Sequence, residues 1–143
     1  MRRLSLLALV GLLWLALSQL APGLLPGGSA GGDSDALLHQ AYEQRQGNLQ
    51  VTTPGVVARL LPDDTQGSRH QRFIVRLASG QTLLIAHNID LAPRVAGLQP
   101  GDTVTVSGEY EWNDRGGVIH WTHHDPEGRH PGGWIEHRGR RYE

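Results

Sequence analysis

From Leu49 onward, apolar residues return at every second position in short runs, and turns rich in Gly and Pro separate the runs. Side chains of a strand point alternately to its two faces, so this pattern suits strands with one buried face and favours an all-β module over a helical bundle. Residues 49–61 read as a long first strand, bent at Pro54-Gly55, in which Val56, Ala58 and Leu60 alternate with Val57, Arg59 and Leu61. Phe73, Val75 and Leu77, with Arg72, Ile74 and Arg76 on the opposite face, make the second. The chain then turns at residues 78–81 and returns through Leu83, Ile85 and His87. Residues 91–98, with Pro93 near their start, connect onward with room for one helical turn. Residues 103–111 and 118–123 are the fourth and fifth strands, and Trp134 to Tyr142 reads as a closing hairpin turning at Arg138-Gly139.

The expected fold class is therefore all-β: a small five-stranded OB-like barrel, preceded by one short helix and an N-terminal apolar leader. Another small barrel or an open meander is the competing topology. Nineteen glycines and eight prolines supply the turns, and a single phenylalanine leaves Val, Leu and Ile to form the core. An OB barrel presents its ligand face on strands two and three, framed by the loops that here are residues 62–69 and 113–117. That places Arg72, Arg76, Trp112, His120 and Trp121 as candidate ligand-binding residues.

Upstream, Arg2 and Arg3 precede an apolar run ending near Ala16-Leu17-Ser18, the small-x-small form that signal peptidase accepts. Residues 1–21 are read as a signal peptide, or as a membrane anchor, since apolar residues resume at Leu20, Ala21, Leu24 and Leu25. Either reading exports the domain to the periplasm, soluble or attached to the inner membrane. Residues 22–32 form a Gly/Pro-rich linker, and residues 33–48 hold a short helix at 35–46 with its N-cap in Asp33-Ser34-Asp35, its apolar stripe at Leu37, Leu38, Ala41 and Tyr42, and its stop at Gly47. The remainder, 49–143, is the barrel domain with its tail.

A net charge of −1 gives no overall basic excess, so charge does not indicate a nucleic-acid partner. The absence of cysteine excludes disulfides, thiolate metal sites and a Cys nucleophile. Any transition metal here is held by His and carboxylate. The stretch VIHWTHHDPEGRHPGGW (118–134) concentrates four of the eight histidines and two of the four tryptophans. On a regular strand His120 and His124 share a face but stand about 13 Å apart, so they do not grip one ion together. A better set uses the strand's end: His124, Asp125 and His130 across the turn at 126–129, with His87 from strand three, around a divalent transition metal such as zinc. The alternatives are that these histidines brace the tail by stacking on Trp121 and Trp134 and by hydrogen bonds to Asp90 or Asp125, or that they do metal-free acid–base work. Glu109 and Glu111 share one strand face and read as a solvated edge.

The blocks RHQRF (69–73), HNIDLAPR (87–94), GEYEWN (108–113) and GGVIHWTHHDP (116–126), followed by HPGGWIEH, resemble a family of small exported bacterial proteins catalogued as a domain of unknown function. The resemblance covers roughly residue 49 to the end. It implies a self-contained exported domain and supplies no catalytic roles. Two function classes follow from the residues. One is an exported binding module for a polar or anionic ligand. The other is a metal-dependent hydrolase of phosphodiesterase or nuclease type around His87, His124, Asp125 and His130.

Overall fold

The computed structural model describes residues 30–143. The leader at 1–21 and the linker up to residue 29 lie outside them. The chain is mostly β: α1 (Ala30–Glu43) is followed by β1 (Leu49–Asp64), β2 (His70–Arg76), β3 (Thr82–Asn88), β4 (Thr103–Glu111), β5 (Val118–His120), β6 (Trp134–His137) and β7 (Arg140–Tyr142). One mixed sheet runs in the order β1-β2-β3-β5-β4-β6-β7, and a further β1–β4 pairing closes its first five strands into a ring. Within the ring only β3 and β5 are parallel; the other neighbours are antiparallel.

The ring closes because β1 is long enough to serve two neighbours. Residues from Leu49 to Val56 pair with β4, and those from Val56 onward pair with β2. The change of partner falls beside Pro54-Gly55, and a Cβ on Gly55 would press into the side chain of Val75. The bend expected at this dipeptide is thus a close approach of β1 to β2.

Strand alternation fills the interior with Val51, Val57, Phe73, Val75, Leu83, Ile85, Val104, Val106, Tyr110 and Ile119, all buried. Burying each large apolar side chain contributes about 1.5–3 kcal/mol. The tail hairpin β6–β7 continues the sheet from β4 and adds Ile135 and Tyr142 to the same core. Its turn at Arg138 (φ 50°) and Gly139 (φ 75°) is the left-handed pair that a two-residue hairpin requires.

Several boundaries differ from those the sequence predicts. The helix starts at Ala30, inside the expected linker, and Asp35 does not cap it; its carboxylate accepts from the Ser79 backbone N–H at 2.8 Å. The helix stops at Glu43 because Arg45 turns left-handed (φ 53°) and Gln46 N–H donates back to the Ala41 carbonyl at 2.9 Å. Gly47 lies past this stop, beside the carboxylate of Glu111 on β4. Leu38 and Ala41 are buried, whereas Leu37 faces solvent. β5 ends at His120, three residues early, because Trp121 enters the left-handed region (φ 53°) and breaks the alternation. Residues 91–98 contain no helix. The chain there is pinned by the Gln71 side chain, which accepts from Val95 N–H at 2.8 Å and donates to the Val95 carbonyl at 3.1 Å.

Candidate functional site

Chemistry gathers in three places. The first lies on the outer face of β1, β2 and β3. Phe73 and Val75 point inward, so Arg72, Ile74 and Arg76 point outward. A register shift between Val57 and Arg59 inserts one extra residue, Ala58, into β1, and pairs Arg59 with Ile74 and Leu61 with Arg72. Strict alternation would put Arg59 on the same face as Val57. The bulge brings it to the outer face beside Arg72 and Arg76.

The fourth arginine arrives from the β4–β5 turn. Asn113 Oδ1 accepts from Arg115 N–H at 2.9 Å and from Gly117 N–H at 2.8 Å. Gly116 (φ 112°) and Gly117 (φ 113°) take backbone angles closed to other residues, and a Cβ on Gly117 would overlap the buried Tyr110 ring, whose hydroxyl donates to the Gly116 carbonyl at 3.0 Å. The turn is therefore rigidly seated. The resulting groove, of about 520 Å³, is lined by Ala58, Arg59, Leu61, Arg72, Ile74, Arg76, Thr82, Leu84, Asn113, Arg115 and Gly117. No carboxylate lines it. Among the described residues none of its four arginines is in an ion pair, although Arg72 Nε donates to the Pro62 carbonyl at 3.0 Å. The other expected frame, loop 62–69, touches this groove through that carbonyl.

The second place is the histidine-rich stretch, at the end of the ring where β3 and β5 finish. His87 is fully buried, with Nε2 on the Pro93 carbonyl at 2.9 Å and Nδ1 on Thr122 Oγ1 at 2.7 Å. A carbonyl only accepts, so Nε2 carries the proton and Nδ1 accepts from the Thr122 hydroxyl. Burial holds the His87 pKa below the ordinary imidazole value of 6.5, against the raising effect of the Pro93 carbonyl. Both nitrogens of this neutral ring are engaged within the fold.

Asp125 is likewise occupied. Its carboxylate accepts from the backbone N–H groups of Glu127, Arg129 and His130 at 3.0, 2.6 and 3.1 Å, tying the turn at 125–130. Burial pushes this carboxyl up, and the three N–H groups with His130 outweigh it, leaving the group below its usual range. His130 stacks on Trp121 at 4.3 Å, and Trp121 stacks on His120 at 4.8 Å. His124 is exposed. His130 Nε2 lies 3.7 Å from Asp125 Oδ2, but among the described residues no three of His87, His124, Asp125 and His130 bring their ligand atoms within 4.8 Å of one another. Beside the stack lies a depression of about 460 Å³ lined by Ser68, His70, Asn88, Leu91, His120, Trp121, His123, Asp125, Arg129 and His130.

Of the candidate ligand-binding residues, Arg72 and Arg76 share the arginine groove, and His120 and Trp121 share the depression. Trp112 belongs to neither: its Nε1 donates to the Tyr42 carbonyl at 3.1 Å and its ring lies under Arg45, fastening α1 to the end of β4.

The third place is absent from the sequence expectations. β4 and β5 pair so that Glu109 stands opposite His120. His120 Nε2 lies 3.1 Å from Glu109 Oε2, and Glu111 on the same face completes a set whose ligand atoms all lie within 4.8 Å of one another. Among the described residues this is the one group of three or more His, Asp or Glu so placed. The alternation of Glu109 and Glu111 was visible in the sequence; the long-range pairing that sets His120 across from them was not.

A family comparison covers residues 28–143, and the chain belongs to the family described as protein of unknown function (DUF3465). No curated protein matches the chain.

Proposed function

We propose that this chain is a binding module with an OB-type barrel that holds an anionic ligand in the groove of Arg59, Arg72, Arg76 and Arg115. The carrying observation is that four guanidinium groups share one groove with no carboxylate among its lining residues. Like charges gathered on one face repel one another, and a bound anion relieves that repulsion. Guanidinium is the cation suited to phosphate, sulfate and carboxylate, because its planar fork donates two parallel hydrogen bonds. The net charge of −1 conceals this local concentration. Ile74, Leu84 and Leu61 floor the groove with apolar surface, and no aromatic ring lines it. A ligand recognised by its repeated anionic groups fits better than one recognised by base stacking. The ring order with parallel β3 and β5, and the seat of the groove on β1–β3 beside the β4–β5 turn, support the OB-type reading. Export to the periplasm, soluble or anchored, is part of the proposal and rests on Arg2, Arg3 and the apolar run that follows.

The test is a titration of the full chain with fluorescein-labelled dextran sulfate, with neutral dextran as control. The charged polymer binds and the neutral one does not, and Arg72→Ala with Arg76→Ala weakens binding at least tenfold, about 1.4 kcal/mol. Equal affinity in the double variant sinks the reading.

A further inference from the structure

We propose that Glu109, Glu111 and His120 hold one zinc-type divalent ion, at a site separate from the arginine groove and independent of the anion-binding reading. Glu109 is 8% exposed, and its one side-chain partner is His120. The Glu111 side chain, two residues along the same strand face, makes no hydrogen bond or ion pair among the described residues, and its carboxylate lies beside Gly47. Two carboxylates on one part-buried face, with a single imidazole across from Glu109, carry an excess of negative charge that a divalent cation converts from repulsion into ligation.

The spacing suits the ion. A tetrahedral zinc with bonds near 2.0–2.1 Å separates its ligand atoms by roughly 3.4 Å. The Nε2–Oε2 distance of 3.1 Å between His120 and Glu109 is already close to that edge, and Glu111 reaches the third corner from within 4.8 Å. One nitrogen and two carboxylate oxygens form a donor set for borderline metals, and three protein ligands leave a position for water or an added ligand. The His120 ring is held by its stack on Trp121, which orients the imidazole as an outer support. Through His120 the site adjoins the depression that Trp121, His130 and Arg129 also line, so a ligand on the ion has space beside it.

Cobalt(II) titrated into the metal-free full chain, followed by its visible d–d absorption and by displacement with zinc, tests this. One equivalent binds, with a low-coordinate spectrum that zinc abolishes. Glu111→Gln weakens binding at least tenfold while the metal-free protein melts no lower than the parent, because the Glu111 side chain makes no hydrogen bond or ion pair among the described residues and loses only repulsion from Glu109. His124→Ala, which changes an exposed histidine, leaves the spectrum intact. The proposal is overturned by the absence of stoichiometric cobalt or zinc, by metal retained equally in Glu111→Gln, or by loss of the spectrum in His124→Ala, which would locate the ion elsewhere among the histidines.

Discussion

The arginine groove and the histidine-rich stretch both look like sites in the sequence, yet the fold treats them in opposite ways. In and around the stretch, His87, Asp125 and His130 spend their polar atoms on backbone, on one another or on the Thr122 hydroxyl, and rings stack on rings. In the groove, the guanidinium groups of Arg59, Arg76 and Arg115 make no ion pair among the described residues. Among the other described arginines, Arg69 pairs with Asp90, Arg94 with Asp63, Arg129 with Glu127, Arg138 with Asp102 and Arg141 with Glu136, while Arg45 and Arg140 lie over the rings of Trp112 and Tyr142. The density of functional-looking residues marks where the chain needs to be held together. Side chains the fold leaves unsatisfied mark where it can hold something else.

The largest effect that would sharpen this contrast is on stability. His87→Ala removes a fully buried side chain and orphans the Thr122 hydroxyl and the Pro93 carbonyl. It should destabilise the protein by about 3 kcal/mol, lowering the melting temperature by roughly 10–13 °C. Dextran sulfate binding, measured at low temperature, should be retained. A His87→Ala protein that melts normally would break the comparison.

The next effect is acid sensitivity. His87 titrates lower in the fold than in the unfolded chain, so below 6.5 the unfolded state binds more protons and stability falls with pH until the folded pKa is reached. Asp102 is held down chiefly by the hydrogen bond from His137, and Asp90 by the backbone and side chain of Arg69. With Asp125 they act in the carboxylate range: their stabilisation is intact above 3.8 and is lost as pH falls through their folded values. Melting temperatures across pH 3 to 8, at steps of about one unit, should therefore decline in two stages. A flat profile down to the carboxylate range would contradict the buried neutral His87.

Smaller still are changes in the groove itself. Arg72→Ala with Arg76→Ala should shift unfolding free energy by no more than about 0.5 kcal/mol per site, because neither guanidinium is in an ion pair. The smallest effect is expected at the exposed His124, where His124→Ala should stay within about 0.5 kcal/mol by urea unfolding. A loss of several kcal/mol in either would place these residues among the structural ones.

Strand alternation made the five ring strands legible, and β4 runs from Thr103 to Glu111 as its pattern implies. The tail hairpin was legible from Arg138-Gly139 because Gly accepts a positive φ at little cost. Features that depend on partners distant in sequence were not. Arg59 reaches the groove only through the bulge at Ala58, and Arg115 only through the seating of its turn on Tyr110. His87 sits on the inward face of β3, as alternation with Leu83 and Ile85 implies, yet its two hydrogen-bond partners come from residues 93 and 122. The early end of β5 turns on one residue, Trp121, whose left-handed backbone no propensity for a bulky aromatic foretells.

The claim that unsatisfied arginines define the binding face is tested most directly by the salt dependence of polyanion binding. With a 12-nucleotide oligothymidylate as a simple phosphate polymer, four contacts predict a log affinity that falls with log salt at a slope of about −2.8. Arg59→Ala with Arg76→Ala should reduce that slope by about 1.4, whereas Arg69→Ala with Arg129→Ala, which removes paired arginines, should leave it unchanged. Equal losses in the two double variants, or an unchanged slope in the groove variant, would contradict the account.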